Sequence, residues 1–112
     1  MSSSAFSLTA IFPADGFEVA QGEPVIGGLH GADGQHFFCA HCLTWLFTRV
    51  TAMPQIVNVR PTMFDDTTWC APFMETFTKT KLSWVVTGAL HSFDEFPPVT
   101  AYEGLMKAFA TR

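Results

Sequence analysis

Polar and apolar residues alternate with a period of two at several places along this chain. Phe6, Leu8, Ala10 and Phe12 are separated by Ser7, Thr9 and Ile11, a pattern that predicts a strand. "PADG" at Pro13–Gly16 predicts a turn. Phe17–Ala20 and Pro24–Ile26 are short strand candidates split by the turn "QGE". Gly27–Gln35 carries four glycines and predicts a loop. His36–Cys39 and Leu46–Val50 are apolar runs on either side of a C-x-x-C, and "QIVNVRP" is a β-rich run ended by Pro61. "TMFDDTTWCAP" predicts a polar loop, Phe73–Lys79 alternates again, and "KLSWVVTG" is an apolar run closed by Gly88.

The periodicity changes at the end of the chain. Tyr102, Leu105, Met106 and Phe109 follow the i, i+3, i+4, i+7 spacing of a helix face. Thr100 and Glu103 have the spacing of a capping box, and Gly104 counts against the helix. The expected fold is therefore mostly β, with many short strands and a short C-terminal helix.

Composition and charge narrow the function classes. A chain of 112 residues fits one domain, and 48% hydrophobic content with 12 phenylalanines indicates a globular core. The net charge is −4, and the 6 Lys and Arg residues include no adjacent pair. A nucleic-acid binder would carry a basic stripe, so no nucleic-acid partner is expected. No apolar run approaches the roughly 18–20 residues of a membrane span, and the first residues lack the basic start of a signal peptide. Three cysteines, an odd count, suit a reducing cytoplasm better than a disulfide framework.

The candidate chemistry centres on Cys39 and Cys42. A C-x-x-C turn aims two sulfurs at one point and supplies half of a tetrahedral zinc site. Cys70 is a candidate third ligand and His36 a candidate fourth, whereas His41 sits between the two cysteines. Spacing alone leaves three readings open: a metal site, a redox dithiol and a pair of structural cysteines. The strand-like "LTWLFTR" after Cys42 weighs against the redox reading, which favours a helix N-terminus.

The segment "HFFCAHCLTWLFTR" resembles the second cysteine motif of the family of glutathione-dependent formaldehyde-activating enzymes, which includes centromere protein V. "SSAFSLTAIFPADGFEVAQGEPV", "IVNVRPTMFDD", "PFMETFTKTKLSWV" and "FDEFPP" resemble further family segments in the same order, from about Ser3 to Pro98. The resemblance implies a β-tent-like sheet arrangement and a zinc-dependent carbon–sulfur lyase acting on S-hydroxymethylglutathione or a related thiol adduct. It also implies glutathione as the small-molecule partner. Two departures stand out. Leu43 occupies the family's glycine position after the C-x-x-C. The five cysteines that family members carry just before the "SAF" strand, three of them ligands of the catalytic zinc, have no counterpart in this sequence.

The resemblance thus implies a single domain over residues 1–112, truncated at its N-terminus, with Cys39 and Cys42 as its remaining metal ligands. Partial or no zinc, no turnover, and a homodimer covering the exposed first strand are the corresponding expectations. Asn58 and Arg60 are candidates for binding glutathione's carboxylates, since Arg suits bidentate contact; the alternative is the solvent face of a half-buried strand. Asp65 and Asp66 are read as turn-making acids, and Trp45, Trp69 and Trp84 as core or rim aromatics. Two other function classes compete with the enzyme: a non-enzymatic β-scaffold that binds a protein partner, and a dithiol redox protein built on Cys39 and Cys42.

Overall fold

The computed structural model describes residues 2–112, which form two compact units, Met1–Thr67 and Thr68–Arg112. The first unit is a five-stranded antiparallel sheet. Its strands are β1 (Ala10–Pro13), β2 (Val25–Gly27), β3 (Gly34–Phe38), β4 (Trp45–Val50) and β5 (Ile56–Val59), in the spatial order β1-β5-β4-β3-β2. The fold is mostly β, as the alternation predicts.

Register explains how one sheet acquires two unlike faces. Phe12 pairs with Val57, and Phe47 pairs with both Val59 and Phe37. These residues share one face and form the core, with Val57 at 0% and Phe47 at 5% exposure. Phe37 stacks on Phe47 at 4.6 Å between ring centroids, and Phe17 meets Phe47 edge-on at 4.9 Å. Side chains one position along point to the other face. They form a row across three strands, in which Asn58 pairs with Thr48 and Thr48 with His36.

A register shift between Phe37 and Phe38 sets Phe38 opposite Trp45, so β4 carries one extra residue. Such a bulge places two successive residues on the same side of the strand. Leu46 and Phe47 both pack with the core, and Trp45 is turned onto the face of Thr48. Strict alternation would have put Trp45 with Phe47.

The expected strand over Phe6–Phe12 is shortened. The Ser4 hydroxyl accepts the Phe6 N–H and donates to the Phe6 carbonyl, closing a local turn. Pairing begins only at Ala10, where the four-residue β5 offers partners. Phe17–Ala20 forms no strand: after the 3-10 turn Ala14–Gly16, Phe17 enters the core while Glu18, Val19 and Ala20 are exposed.

The second unit contains a short parallel pair, β6 (Met74–Glu75) and β7 (His91–Ser92), and one helix, α1 (Tyr102–Ala110). The alternation over Phe73–Lys79 yields only two strand residues. Phe77 adopts φ 56°, in the left-handed region, and the chain turns into the 3-10 segment Thr78–Thr80. "KLSWVVTG" also makes no strand: Val85 is buried and donates its N–H to the Leu82 carbonyl in a turn, while Trp84 and Val86 are exposed. The Glu75 carboxylate ties the segments together. It accepts hydrogen bonds from Thr87 Oγ1 at 2.7 Å, Ser92 Oγ at 2.8 Å and Lys81 Nζ at 3.1 Å, which lower its pKa to about 2.

The helix lies where the periodicity places it, and Phe109 on its apolar face meets Phe73 at 5.4 Å. The capping box is not formed. Thr100 falls inside a preceding 3-10 turn, Val99–Ala101, so Ala101 is the N-cap and has no side chain to offer. Glu103 instead pairs with Lys107 one turn on. Among the described residues, no helix is long and apolar enough to cross a membrane.

Candidate functional site

Cys39 and Cys42 sit on a tight turn between β3 and β4. The Cys39 N–H bonds to the Thr44 carbonyl at 2.9 Å, and the Leu43 N–H to the Cys39 carbonyl at 2.9 Å. These bonds close the loop that carries both cysteines. Leu43 adopts φ 58° to complete the turn. A side chain in this region costs about 1–2 kcal/mol relative to glycine. Backbone conformation is thus the reason a glycine suits this position.

Cys42 is exposed and Cys39 half-buried. Thr44 Oγ1 lies 3.1 Å from Cys42 Sγ. A hydrogen bond from Thr44 favours the thiolate and lowers the Cys42 pKa.

Beside this turn, the core face of the sheet opens into a groove of about 470 Å³. Phe17, Leu46, Phe47, Val59, Met63 and Phe64 form its apolar walls, and Cys39 and His41 lie at its border. The charged residues lining it are Glu18 and Glu23, both acidic.

The opposite face is polar. Trp45 Nε1–H donates to Thr48 Oγ1 at 3.0 Å, and Thr48 Oγ1 lies 2.7 Å from His36 Nδ1. The direction of the Thr48–His36 bond follows from which ring nitrogen of His36 carries its proton. Burial, and then the proximity of His30, lower the His36 pKa from its ordinary 6.5; the Leu29 carbonyl works in the other direction.

Arg60 projects onto this same face. Its guanidinium lies 4.0 Å from the centroid of the Trp45 ring, and Nη1 donates to Thr9 Oγ1 at 3.0 Å. Burial lowers its pKa, and no carboxylate among the described residues pairs with it. Two positions earlier, Asn58 Oδ1 is buried without a hydrogen-bond partner. A spare cation and an orphaned acceptor therefore stand on one strand, one side-chain period apart.

The structure brings Asn58 and Arg60 together on the polar face and brings Cys39 and Cys42 together in the turn. The His36 ring is engaged with Thr48. Cys70 is half-buried in the second unit. Among the described residues, no group of three or more His, Cys, Asp or Glu side chains is placed to hold a metal ion. Two thiols supply half of a tetrahedral donor set, so the described residues do not fit a complete zinc site.

Sequence reasoning passed over Thr48 and treated Trp45 only as a core or rim aromatic. The period of two places Thr48 beside Asn58 once the register is known, but the bulge that rotates Trp45 has no marker in the sequence.

Comparison with known proteins adds one match. A scan against protein-family models matches residues 1–80 to the model described as glutathione-dependent formaldehyde-activating enzyme. Searches of curated proteins and of solved structures returned no match.

Proposed function

Because the chain belongs to the glutathione-dependent formaldehyde-activating enzyme family, we propose that its sheet binds a glutathione-type thiol, or the S-hydroxymethyl adduct of one, through Arg60 and Asn58. The family in general binds zinc and takes glutathione-type thiols. The observation that carries the reading is the pairing of an unmatched cation with an orphaned acceptor. Arg60 offers its remaining N–H groups to a carboxylate, and Asn58 Oδ1 accepts an N–H from the adjoining amide. Their side chains lie about 6.6–6.8 Å apart along the strand direction, a spacing one peptide residue can bridge. The Trp45 ring lies against the guanidinium and forms the wall beside it.

Glutathione carries two carboxylates. The groove presents Glu18 and Glu23, with Arg49 over its walls Phe17 and Phe47, whereas the polar face presents Arg60 with a buried acceptor beside it.

The family's reaction forms or breaks a carbon–sulfur bond at the thiol. Cys39 and Cys42 are proposed as metal ligands, but the pair does not complete a site, so no catalytic step is assigned to zinc here. A polypeptide of these 112 residues is expected to bind the thiol without accelerating its reaction with formaldehyde.

Calorimetric titration with reduced glutathione tests the reading. Arg60→Ala is expected to weaken binding by roughly tenfold or more, in line with loss of a charge-assisted contact. Glutathione methyl-esterified at both carboxylates should bind weakly to both proteins. Equal glutathione affinity in the variant and the natural sequence would refute the assignment. The alternative, a non-enzymatic β-scaffold for a protein partner, is supported by the second unit, where Trp84, Val86, Leu90 and Phe96 are each at least 69% exposed. It requires glutathione to show no saturable binding.

A further inference from the structure

Arg60 and Asn58 offer different things to a ligand. Arg60 keeps donors in reserve: Nη1 donates to Thr9 Oγ1 at 3.0 Å, and no carboxylate among the described residues pairs with the guanidinium. A guanidinium has five N–H groups and meets a carboxylate with two of them. Asn58 Oδ1 is a buried acceptor without a donor. A ligand that completes both presents a carboxylate with an N–H close by.

A thiol tripeptide of the glutathione type has two ends that carry a carboxylate beside a nitrogen. At the C-terminus, the glycine carboxylate lies one carbon from an amide N–H. At the γ-glutamyl end, the carboxylate lies one carbon from an ammonium. The two nitrogens differ in donors and in charge. An amide nitrogen has one N–H, which matches the one orphaned acceptor among the described residues. An ammonium has three, and two of them would need other partners on this face. Thr48 Oγ1 is already engaged there by Trp45 Nε1–H and His36 Nδ1. An ammonium would also set a second positive charge near Arg60. Burial already lowers the pKa of Arg60 and of His36, so this face disfavours a further cation.

We propose that the site reads the C-terminal end of the thiol peptide, with Arg60 on the glycine carboxylate and Asn58 Oδ1 on the amide N–H next to it. The inference rests on the reading of Arg60 and Asn58 as the thiol site, and it names the part of the ligand they hold. The γ-glutamyl group is left unread. The substrate class is therefore wider than glutathione: thiols that end in a cysteinylglycine unit, whatever acyl group the cysteine nitrogen carries.

Calorimetric titration with glutathione analogues tests the assignment. N-acetylcysteinylglycine, which lacks the γ-glutamyl group, is expected to bind within about threefold of glutathione. Glutathione esterified only at glycine should bind about tenfold or more weakly, having lost the charge-assisted contact. The analogue with glycolate in place of glycine keeps the carboxylate and exchanges the amide N–H for an ester oxygen. It should bind about threefold to tenfold more weakly than glutathione. Asn58→Ala should bind glutathione and the glycolate analogue alike. Its circular dichroism spectrum should be unchanged, because the acceptor it removes has no partner to lose.

Full affinity for the glycine ester, or a tenfold loss with N-acetylcysteinylglycine, would overturn the assignment in favour of the γ-glutamyl end while leaving Arg60 in the thiol site. A glycolate penalty that persists undiminished in Asn58→Ala would overturn the amide contact. Absence of saturable glutathione binding, or unchanged glutathione affinity in Arg60→Ala, would bring down the thiol site itself and this assignment with it.

Discussion

On one face of the five-stranded sheet, Val57, Val59 and Phe47 interlock with Phe12, Phe17 and Phe37. On the other face, their strand neighbours Asn58 and Thr48, with His36, form a row of polar groups beneath Trp45 and Arg60. The same backbone hydrogen bonds support both, and consecutive residues serve opposite ends. The apolar face is held by its own members, and each methylene removed from water contributes about 0.8 kcal/mol. The polar face is satisfied at its centre, where Trp45, Thr48 and His36 form one hydrogen-bonded chain, and unsatisfied at its edge, where Asn58 Oδ1 lacks a donor. A face that leaves a buried acceptor and a partly buried cation unmatched is less stable than it needs to be. Such local deficits mark places where a ligand supplies the missing partner.

The largest effect expected from breaking this contrast is on the apolar side. Phe47→Ala removes the ring that touches Phe17, Phe37 and Val59 and should cost about 3–5 kcal/mol in urea-induced unfolding. A loss below about 1 kcal/mol would mean that the core lies elsewhere.

Thr48→Val keeps the shape of the polar row and removes the hydroxyl at its centre. The Trp45 N–H and His36 Nδ1 both lose their partner, with an expected cost of about 1–3 kcal/mol. The pH profile sharpens the same point. The His36 pKa is depressed in the folded protein, so the unfolded chain binds more protons just below pH 6.5. The stability contributed by His36 is therefore present above its unfolded value and is lost as pH falls through its folded one. His36→Gln should flatten that part of the profile, measured as unfolding free energy against pH. An unchanged slope would show that the histidine is not held neutral.

The smallest effect concerns the turn that joins β3 to β4 at the border of the groove. Leu43→Gly should raise stability by about 1 kcal/mol by relieving the left-handed backbone at φ 58°. A destabilised variant would show that the exposed leucine makes contacts that outweigh the strain.

Much of the fold was legible because period-two patterning and turn chemistry are local. The runs around the C-x-x-C, "IVNV" and the terminal helix all appear close to their expected places. The second unit was read less well. There the alternation of Phe73–Phe77 promised a strand, but no long partner ladder exists to hold it, and a left-handed residue ends it after Glu75. The capping box failed for a similar reason: Thr100 and Glu103 have the right spacing, but a 3-10 turn displaces the helix start by one residue. The candidate site was legible as residue types, with Cys39 and Cys42 from their spacing and Asn58 and Arg60 from their strand. The hydrogen bonds that join Trp45, Thr48 and His36 were not.

The sequence by itself determined which residues alternate, which turns interrupt them, that two cysteines share one bend, and that the chain resembles a family of thiol-handling enzymes. Tertiary structure alone decided that Thr48 bridges Trp45 and His36, that Arg60 lies over Trp45 without a carboxylate, and that Asn58 Oδ1 is left without a donor. The physical reason is register. Alternation assigns each side chain to one of two faces, but only the alignment of neighbouring strands, shifted here by one bulged residue, fixes which side chains meet.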